Sequence, residues 1–337
     1  MEKILVTGGL GFIGSISCKQ LLLNGYDVVI VDNLVNSSKD VKDILEKLTG
    51  KPVTFYETDI RDEEEMDKIF KKEKPSSVIH FAGLKAVGES VAKPLLYYDN
   101  NLNGSIVLLK MMERYNVNEL IFSSSATVYG VPDKLPLTEE SQVKEATNPY
   151  GETKVMIEKI IRDYALIHED FKAMLLRYFN PIGADDSYLL GEKPVGIPNN
   201  LLPYISQVAT GKRQFLKVFG NDYPTEDGTC IRDYIHVVDL ALGHLAALKK
   251  FDDVKGVNVY NLGTGKGTSV LELVKAYEEA NHLKIPYEIY PRRAGDVVSN
   301  YASCDKALKE LHWKAERSIL DACRSSFEFE KRLKDHE

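Results

Sequence analysis

Lys3–Asp32 reads KILVTGGLGFIGSISCKQLLLNGYDVVIVD, and this stretch decides the fold. It opens with a short apolar run, Ile4–Val6, that predicts a buried strand. Glycines follow at once, and over Phe12–Leu23 apolar residues recur at helical spacing until an Asn-Gly helix stop. A second apolar run, Val28–Val31, then ends in Asp32. The stretch predicts a strand–helix–strand unit with glycines in its first turn.

The same alternation continues through the first 180 residues. The further strands and helices that we predict there are, in chain order, Val53–Tyr56, Val78–Phe81, Leu95–Tyr115 (helix), Leu120–Ser123, Pro149–His168 (helix) and Met174–Tyr178. Apolar strands separated by helices of this length are typical of right-handed βαβ units around a parallel sheet that is covered on both faces. We therefore predict an α/β fold with a Rossmann-type doubly wound parallel sheet.

The pattern changes after Asn180, because residues 181–228 contain five prolines and six glycines. Loops are expected there, around a helix near Leu202–Thr210. Regular structure returns with the predicted elements Asp239–Leu248 (helix), Val257–Leu262 (strand) and Ser269–Asn281 (helix). We predict a first domain over residues 1–180 and a smaller C-terminal α/β substrate domain over 181–337. The second is expected to be discontinuous, with part of about 236–262 packing on the first sheet.

Composition excludes several classes of protein. The 337 residues include 43 Lys and Arg against 50 Asp and Glu, a net charge of −7 that does not suit general nucleic-acid or anionic-membrane binding. No apolar run approaches the length of about 18 residues that a membrane-spanning helix needs. The four cysteines and seven histidines form no metal-spaced cluster, so no metal is expected, and a reducing compartment fits best. The N-terminus reads as a first strand rather than a secretory signal, which predicts a cytoplasmic protein.

The glycines of the first turn, Gly8, Gly11 and Gly14, form a G-x-x-G-x-x-G pattern between strand and helix. Such glycines allow a tight turn, the close approach of a pyrophosphate and close packing of the helix on the strand. The helix N-terminus behind them offers N–H groups and a positive dipole end to phosphate oxygens. The pattern predicts a dinucleotide site.

Two acids at strand ends bear on which dinucleotide binds. Asp32 follows Gly14 by 18 residues, a position where a carboxylate binds the adenosine ribose hydroxyls. The same carboxylate would repel the 2′-phosphate of NADP, so NAD is the expected cofactor. Asp59, after the third strand, would face the adenine side, although an ordinary turn acid fits its position as well.

Tyr150 and Lys154 lie four residues apart on a predicted helix and therefore share one face. A Tyr side chain ordinarily titrates near pH ~10, which is too high for a base at neutral pH. We expect the Lys154 ammonium and a positive nicotinamide ring to favour the phenolate and lower the pKa of Tyr150. Ser125 follows a predicted strand, 25 residues earlier, and can share the proton of a substrate alcohol. These three residues predict proton transfer coupled to hydride transfer.

The glycine motif and the Ser125, Tyr150 and Lys154 set resemble the extended short-chain dehydrogenase/reductase family. Longer runs resemble its nucleotide-sugar 4-epimerases over nearly the whole chain: His80–Ser90, Ser123–Gly130, Arg177–Pro181, Ile197–Leu201 and Gly220–Asp239. The resemblance implies that the protein interconverts UDP-galactose and UDP-glucose in galactose metabolism. It implies transient oxidation at sugar C4 with tightly bound NAD and Tyr150 as base. It also implies a homodimer through helices such as Leu95–Tyr115 and Pro149–His168.

The resemblance further implies which residues line each site. The expected NAD-binding residues are Gly8, Gly11, Phe12, Ile13, Gly14, Asp32, Asn33, Asn36, Asp59, Ile60, Phe81, Ala82, Gly83, Lys85, Asn100, Ser125, Tyr150, Lys154 and Phe179. The expected UDP-sugar-binding residues are Ser125, Tyr150, Asn180, Asn200, Leu201, Phe219, Arg232, Arg293, Asp296 and Asn300. In an acidic chain, two arginines are suited to clamping a diphosphate.

Other activities stay open at this point. A nucleotide-sugar dehydratase would carry an Asp–Glu pair where this sequence has Ala126 and Thr127, neither of which can do acid–base work. Another NAD-dependent nucleotide-sugar epimerase and a non-catalytic NAD-binding sensor are further alternatives. Asn300 stands where some relatives have a bulky Tyr beside the sugar. Its smaller side chain leads us to expect that N-acetylated UDP-sugars are also accepted.

Overall fold

The structure is a computed structural model that describes residues 2–293 and 295–335. Its strands are β1 Lys3–Thr7, β2 Asp27–Asp32, β3 Thr54–Glu57, β4 Ser77–His80, β5 Glu119–Ser125, β6 Lys172–Tyr178, β7 Asn180–Ile182, β8 Leu216–Phe219, β9 Ile231–Arg232, β10 Tyr234–His236, β11 Val257–Leu262, β12 Thr268–Ser269, β13 Tyr287–Tyr290 and β14 Ser299–Asn300. Its α-helices are α1 Phe12–Leu23, α2 Asp40–Thr49, α3 Glu63–Glu73, α4 Val87–Ala92, α5 Pro94–Tyr98, α6 Gly104–Arg114, α7 Pro149–Ile167, α8 Leu201–Ala209, α9 Val237–Leu248, α10 Val270–Asn281 and α11 Ile319–Asp335.

The main sheet has, within the described residues, seven strands in the order β11-β6-β5-β4-β1-β2-β3. β1 pairs in parallel with β2 on one side and with β4 on the other, so the strand order reverses between β1 and β4. This confirms the predicted Rossmann-type doubly wound parallel sheet. Ligands of such sheets bind beyond the carboxyl ends of the strands that flank the reversal.

The first compact unit comprises Met1–Gly130, Gln142–Arg177 and Ala241–Tyr260. Its strands are apolar on both faces because helices cover both: Ile4, Leu5 and Val6 of β1 are fully buried. α3, α6 and α7 bury apolar side chains in one core cluster with the strands, including Phe70, Leu108, Met112, Ile157 and Phe122. Removing each such side chain from water contributes roughly 1.5–3 kcal/mol to the free energy of folding.

The helix that we predicted over Leu95–Tyr115 is interrupted. α5 ends at Tyr98, the π-helical segment Asp99–Asn103 follows, and α6 begins at Gly104. The wider turn accommodates Asn101, a buried amide in an otherwise apolar face. This π-helical segment contains the predicted cofactor residue Asn100.

The second compact unit comprises Val131–Ser141, Tyr178–Leu240 and Asn261–Glu337. Its core joins α8, α10 and α11 to β8 through the buried residues Leu202, Ile205, Val218, Leu273, Tyr277 and Cys323. Val131–Ser141 belongs to this unit through Leu137, whose N–H donates to the carbonyl of Tyr301 (2.9 Å). The Leu137 carbonyl in turn accepts from the N–H of Ser303 (2.7 Å).

Residues 2–293 and 295–335 contain neither a membrane-spanning helix nor a cluster of metal-binding side chains. No helix there combines the length and the apolar character that crossing a membrane requires. No group of three or more His, Cys, Asp or Glu side chains there is placed to hold a metal ion.

Candidate active site

The glycine turn lies where the strand order reverses. Gly8 has a φ of +69°, a left-handed conformation that favours glycine. A Cβ at Gly8 would lie 2.8 Å from the backbone nitrogen of Ala82, the second residue after β4. A Cβ at Gly14 would clash with the Gly8 carbonyl oxygen and lie 2.9 Å from the Cα of Gly9. The backbone therefore approaches itself too closely here for any side chain.

This turn fits the phosphates of a dinucleotide. α1 begins directly after it at Phe12, and no side chain caps the helix from its N-cap residue, Gly11. The first-turn N–H groups of Phe12, Ile13 and Gly14 thus keep their hydrogen-bonding capacity for a ligand. The positive end of the helix dipole lies at the same place, which favours a bound anion.

Asp32 ends β2 with its carboxylate held against the glycine turn. Its Oδ2 accepts from the N–H of Leu10 (3.0 Å), and its Oδ1 accepts from the N–H of Leu34 (2.9 Å) and the Ser37 hydroxyl (2.8 Å). Each carboxylate oxygen has two lone pairs, so Oδ1 is fully used and Oδ2 keeps the capacity to accept from one ribose hydroxyl. Asp32 therefore shapes the turn in addition to its predicted contact with the cofactor.

Asp59 follows β3 and is tied to its neighbours. The Asn33 side chain donates to it (3.0 Å), and Arg61 donates through its backbone N–H (2.9 Å) and its guanidinium (3.0 Å from Nε). Hydrogen bonds from Arg61 lower the pKa of Asp59 to about 2, although burial acts in the opposite direction. Asp59 is thus an ionised partner of Arg61 at neutral pH. Beside it Ile60 is buried, whereas Asn36 is exposed.

The loop Phe81–Lys85 is held by a residue that the sequence analysis missed. The buried Asn101 accepts from the N–H of Leu84 (2.8 Å) and donates to its carbonyl (3.1 Å). It also accepts from the side chain of Asn100 (2.9 Å) and donates to the Thr153 hydroxyl (3.0 Å). Asn101 therefore connects this loop to α7 beside Lys154. An Asn-rich run inside an apolar helical pattern was the signal that could have revealed it.

Tyr150 occupies the first turn of α7. The helix begins at Pro149 because the side chain of the N-cap residue Asn148 accepts from the N–H of Gly151 (2.9 Å) and proline suits the first helical position. The positive end of the helix dipole lies at this turn and favours a phenolate. Lys154 lies one turn further along, with its Nζ 5.9 Å from the centroid of the Tyr150 ring.

Ser125 ends β5 beside Tyr150, close enough for its side chain to act on the phenol as a hydrogen-bond donor. Ser125 Oγ also accepts from the backbone N–H of Thr127 (3.2 Å), which fixes the serine hydroxyl at the end of β5. Burial raises the pKa of Tyr150, whereas we expected a lowered value, because a phenolate loses hydration inside the protein. The Ser125 side chain and the charge of Lys85 act in the opposite direction.

Lys154 is buried, and its Nζ donates to the carbonyl of Ser123 (2.7 Å). Burial lowers the pKa of Lys154 to about 8, while the charge of Glu158 acts to raise it. The side chain is therefore an ammonium at neutral pH that begins to lose its proton in mildly alkaline solution. Side chains whose pKa values burial has shifted toward neutral pH are typical of active sites.

In the second unit, a separate set of predicted residues comes together around Asp296. Arg232 donates to its Oδ1 (3.4 Å), and Arg293 donates to its Oδ2 (3.0 Å). The Arg293 guanidinium lies 5.1 Å from the centroid of the Phe219 ring at the end of β8. Two guanidinium groups fixed by one carboxylate form a site suited to a diphosphate, and the neighbouring aromatic ring is suited to stacking on a base.

The other residues predicted to bind substrate or cofactor in this unit lie on short elements. Asn180 begins β7, and its N–H donates to the carbonyl of Asp233 (2.9 Å), next to Arg232. Asn300 of β14 lies opposite Arg232 of β9. Asn200 and Leu201 open α8, where the Asn200 side chain donates to Glu192 (2.6 Å). Phe179 follows β6 and precedes β7 in the sequence, and its side chain is buried.

Comparison with known proteins identifies the family. The model of the NAD dependent epimerase/dehydratase family matches residues 4–263. The chain belongs to this family. A UDP-glucose 4-epimerase of Bacillus subtilis (strain 168) is 53% identical over 327 residues, which cover 97% of this chain and 96% of that protein. A UDP-glucose 4-epimerase of Cyamopsis tetragonoloba is 56% identical over 330 residues, which cover 97% and 94%.

Solved structures of epimerases have the same fold. A UDP-glucose 4-epimerase from Bifidobacterium longum in complex with NAD+ and UDP superposes with a TM-score of 0.96 at 53% identity, covering 99% of this chain and 100% of that one. A UDP-glucose 4-epimerase from Stenotrophomonas maltophila holds NAD and formylated UDP-arabinopyranose, with a TM-score of 0.97, 44% identity and full coverage of both chains. The family and these structures confirm the expected resemblance and NAD as the cofactor.

Proposed function

We propose that this member of the NAD dependent epimerase/dehydratase family interconverts UDP-galactose and UDP-glucose by transient oxidation at sugar C4. We assign NAD to the first unit and the UDP-sugar to the arginine pair of the second. The observation that carries the proposal is the placement of Ser125 beside Tyr150, with Lys154 one helical turn away. Ala126 and Thr127, which follow Ser125, have no acidic group for dehydration.

Tyr150 is the proton acceptor in this proposal. Its Oη takes the proton of the C4 hydroxyl when the sugar is oxidised and returns a proton to the same oxygen when the sugar is reduced. Bound NAD supplies hydride chemistry at C4. The side chain of Ser125 and the charge of Lys85 favour the phenolate, as does the N-terminal end of α7. We assign the same role to the buried Lys154 ammonium, whose Nζ lies 5.9 Å from the centroid of the Tyr150 ring.

Arg232 and Arg293 hold the diphosphate in this proposal. Asp296 accepts hydrogen bonds from both guanidinium groups and so holds them side by side before the substrate binds. A UDP held at this end allows the 4-keto sugar to turn and present its other face. Reduction of the keto group from that face would change the configuration at C4 without net oxidation.

Proton NMR of UDP-galactose incubated with the purified protein and no added NAD tests the function. We expect UDP-glucose to accumulate to equilibrium, because the cofactor is regenerated in each cycle and stays bound. A 4-keto-6-deoxy sugar would indicate a dehydratase instead. No change, even after NAD is added, would contradict the proposal and favour another nucleotide sugar or a non-catalytic NAD sensor.

We also propose that N-acetylated UDP-sugars are substrates, on the basis of the small side chain at Asn300. Its Oδ1 is buried without a hydrogen-bond partner among the described residues. Asn300→Tyr is expected to lower the ratio of turnover on UDP-N-acetylgalactosamine to that on UDP-galactose by about tenfold or more, because the larger ring would fill the space for the acetamido group. Asn300→Ser, which stays small, is the control. An unchanged ratio in the tyrosine variant would contradict the size argument.

We propose a homodimer formed through α5, α6 and α7. These helices expose the apolar side chains Leu95, Leu96, Ile106, Met156, Leu166 and Ile167, and Leu95 is 81% exposed. Apolar side chains exposed in such numbers favour burial against a second copy of the chain.

Leu95→Glu is expected to shift the protein from dimer to monomer, because a carboxylate would be buried in the interface. Light scattering after size exclusion measures this mass. Val195→Glu makes a similar change at a residue that is 78% exposed in a loop outside these helices, and it should leave the dimer intact. Equal masses for the two variants would contradict this interface.

We propose a cytoplasmic location. The four cysteines are free thiols, three of them buried, which fits a reducing compartment.

A further inference from the structure

A buried ion pair lies beside the catalytic helix and takes no part in the chemistry described above. Arg177 of β6 donates to Glu158 of α7 through Nε (2.8 Å to Oε1) and through Nη2 (2.5 Å to Oε2). The two side chains are 2% and 3% exposed. Removing both charges from water is costly, so such a pair is weak evidence for stability and invites a functional explanation.

Glu158 stands one helical turn after Lys154, and both side chains are buried. Lys154 Nζ donates to the carbonyl of Ser123 (2.7 Å), and Glu158 Oε1 accepts from the hydroxyl of Ser124 (2.6 Å). Successive turns of α7 therefore bind successive residues of β5. The next residue of that strand is Ser125, whose side chain acts on Tyr150.

We propose that Glu158, held by Arg177 and Ser124, is a positioning residue that keeps Lys154 charged and fixes the end of β5 against α7. This inference rests on the proposed function, because it assigns Glu158 a role in maintaining the ammonium that supports the Tyr150 phenolate. Glu158 itself does not touch the reacting atoms.

Among the charged and titratable groups around Lys154, Glu158 is the negative charge that acts on the ammonium. On β4, burial lowers the pKa of His80 to about 3, so this ring is neutral at working pH. At the start of α7, Tyr150 is the group that Lys154 serves, and Lys85 adds a further positive charge near that tyrosine. Burial lowers the pKa of Lys154, and the charge of Glu158 opposes this effect.

The groups around Glu158 itself are cationic or neutral. Arg177 approaches from β6, Ser124 from β5, and Arg162, on the next turn of α7, lies 3.9 Å away with a side chain that is 44% exposed. Arg162 is therefore screened by solvent, whereas Arg177 is not. Glu158 thus has a fixed, buried position from which its charge acts on Lys154.

Glu158→Gln tests the inference, because it keeps the shape of the side chain and removes its charge. Without that charge, Lys154 should lose its proton at a lower pH. The pH at which kcat/KM falls on the alkaline side should therefore decrease by about one pH unit. Glu158→Asp retains the charge and should keep this alkaline limb of the pH profile near its wild-type position. Asp163→Asn removes a carboxylate on the exposed part of α7, where Asp163 pairs with Lys159, and it is the matched control.

The readout separates positioning from a purely structural role. A limb at the wild-type pH in Glu158→Gln would overturn the inference, even if kcat falls, because loss of packing alone does not move a titration.

Folding of each variant is checked by circular dichroism. If Glu158→Gln does not fold, the variant Glu158→Gln/Arg177→Met, which leaves no unpaired buried charge, takes its place. Its limb should also shift to lower pH, because the charge of Glu158, and not that of Arg177, acts on Lys154, and an unshifted limb would overturn the inference. The wild-type protein distinguishes the two hypotheses: if it does not epimerise UDP-galactose, the proposed function has failed, whereas wild-type activity with no limb shift in the variant means that only this inference has failed.

Discussion

Tyr150→Phe is expected to lower epimerase turnover by about 10³-fold, while NAD and UDP remain bound. Removing the phenolic oxygen takes away the group that exchanges a proton with the C4 hydroxyl, and positioned acid–base groups contribute roughly 10²–10⁴-fold. The ring itself stays, so the packing at the start of α7 is preserved. Turnover is measured by NMR of UDP-galactose, and bound NAD by its release on denaturation.

Tyr164→Phe is the matched control for this prediction. Tyr164 is on the same helix, and its ring stacks on that of His168 with centroids 4.0 Å apart. The same loss of a hydroxyl there should leave turnover near the wild-type value. A Tyr150→Phe variant that keeps more than about a tenth of wild-type activity would contradict the assignment of Tyr150 as base.

Gly14→Ala is expected to have the second large effect, on cofactor binding and stability together. A Cβ at this position would clash with the carbonyl oxygen of Gly8 and lie 2.9 Å from Gly9 Cα, so the backbone of the turn must move. We expect the free energy of unfolding to fall by about 3 kcal/mol, because the clash is with backbone rather than with a flexible side chain. NAD carried by the purified protein should fall by about tenfold or more, since the same backbone forms the phosphate site.

Gly88→Ala is the control for this change. Gly88 lies in α4, and a Cβ there would meet no atom within 4 Å. Replacing it should be neutral or slightly stabilising, because alanine loses less conformational entropy in a helix. Thermal unfolding and NAD content are compared for both variants. Equal NAD content and equal Tm for Gly14→Ala and the wild type would show that the turn tolerates a side chain, contrary to the structure.

The first sheet was predictable because its signals are local. The apolar runs gave β1, β2 and β4 within a residue or two of their observed bounds, and the helix over Phe12–Leu23 was predicted without error. Gly14 and Asp32, which ends β2, are only 18 residues apart, so the dinucleotide motif could be predicted without tertiary information. In the second unit, β9, β12 and β14 were not predicted because they are only two residues long. A strand that short shows no periodicity.

The sequence alone also determined which residue types carry the proposed chemistry. Tyr150 and Lys154 are four residues apart on one helix, so their common face follows from helical geometry. The resemblance of long runs to nucleotide-sugar 4-epimerases added the candidate substrate residues. Asn101 was missed, although a polar run inside an apolar helix was visible. Glu158 was missed as well, although it is the next residue on the Lys154 face.

Tertiary structure alone decided how these residues are held and charged. Asn101 contacts Thr153 across 52 residues of sequence, Arg177 reaches Glu158 across 19, and Arg232 reaches Asp296 across 64. The pKa of Tyr150 is raised rather than lowered, because burial outweighs the nearby donors and charges. Periodicity and motifs report what lies within a few residues along the chain. Desolvation and ion pairing depend on which distant segments pack around a group, and that is known only once the chain has folded.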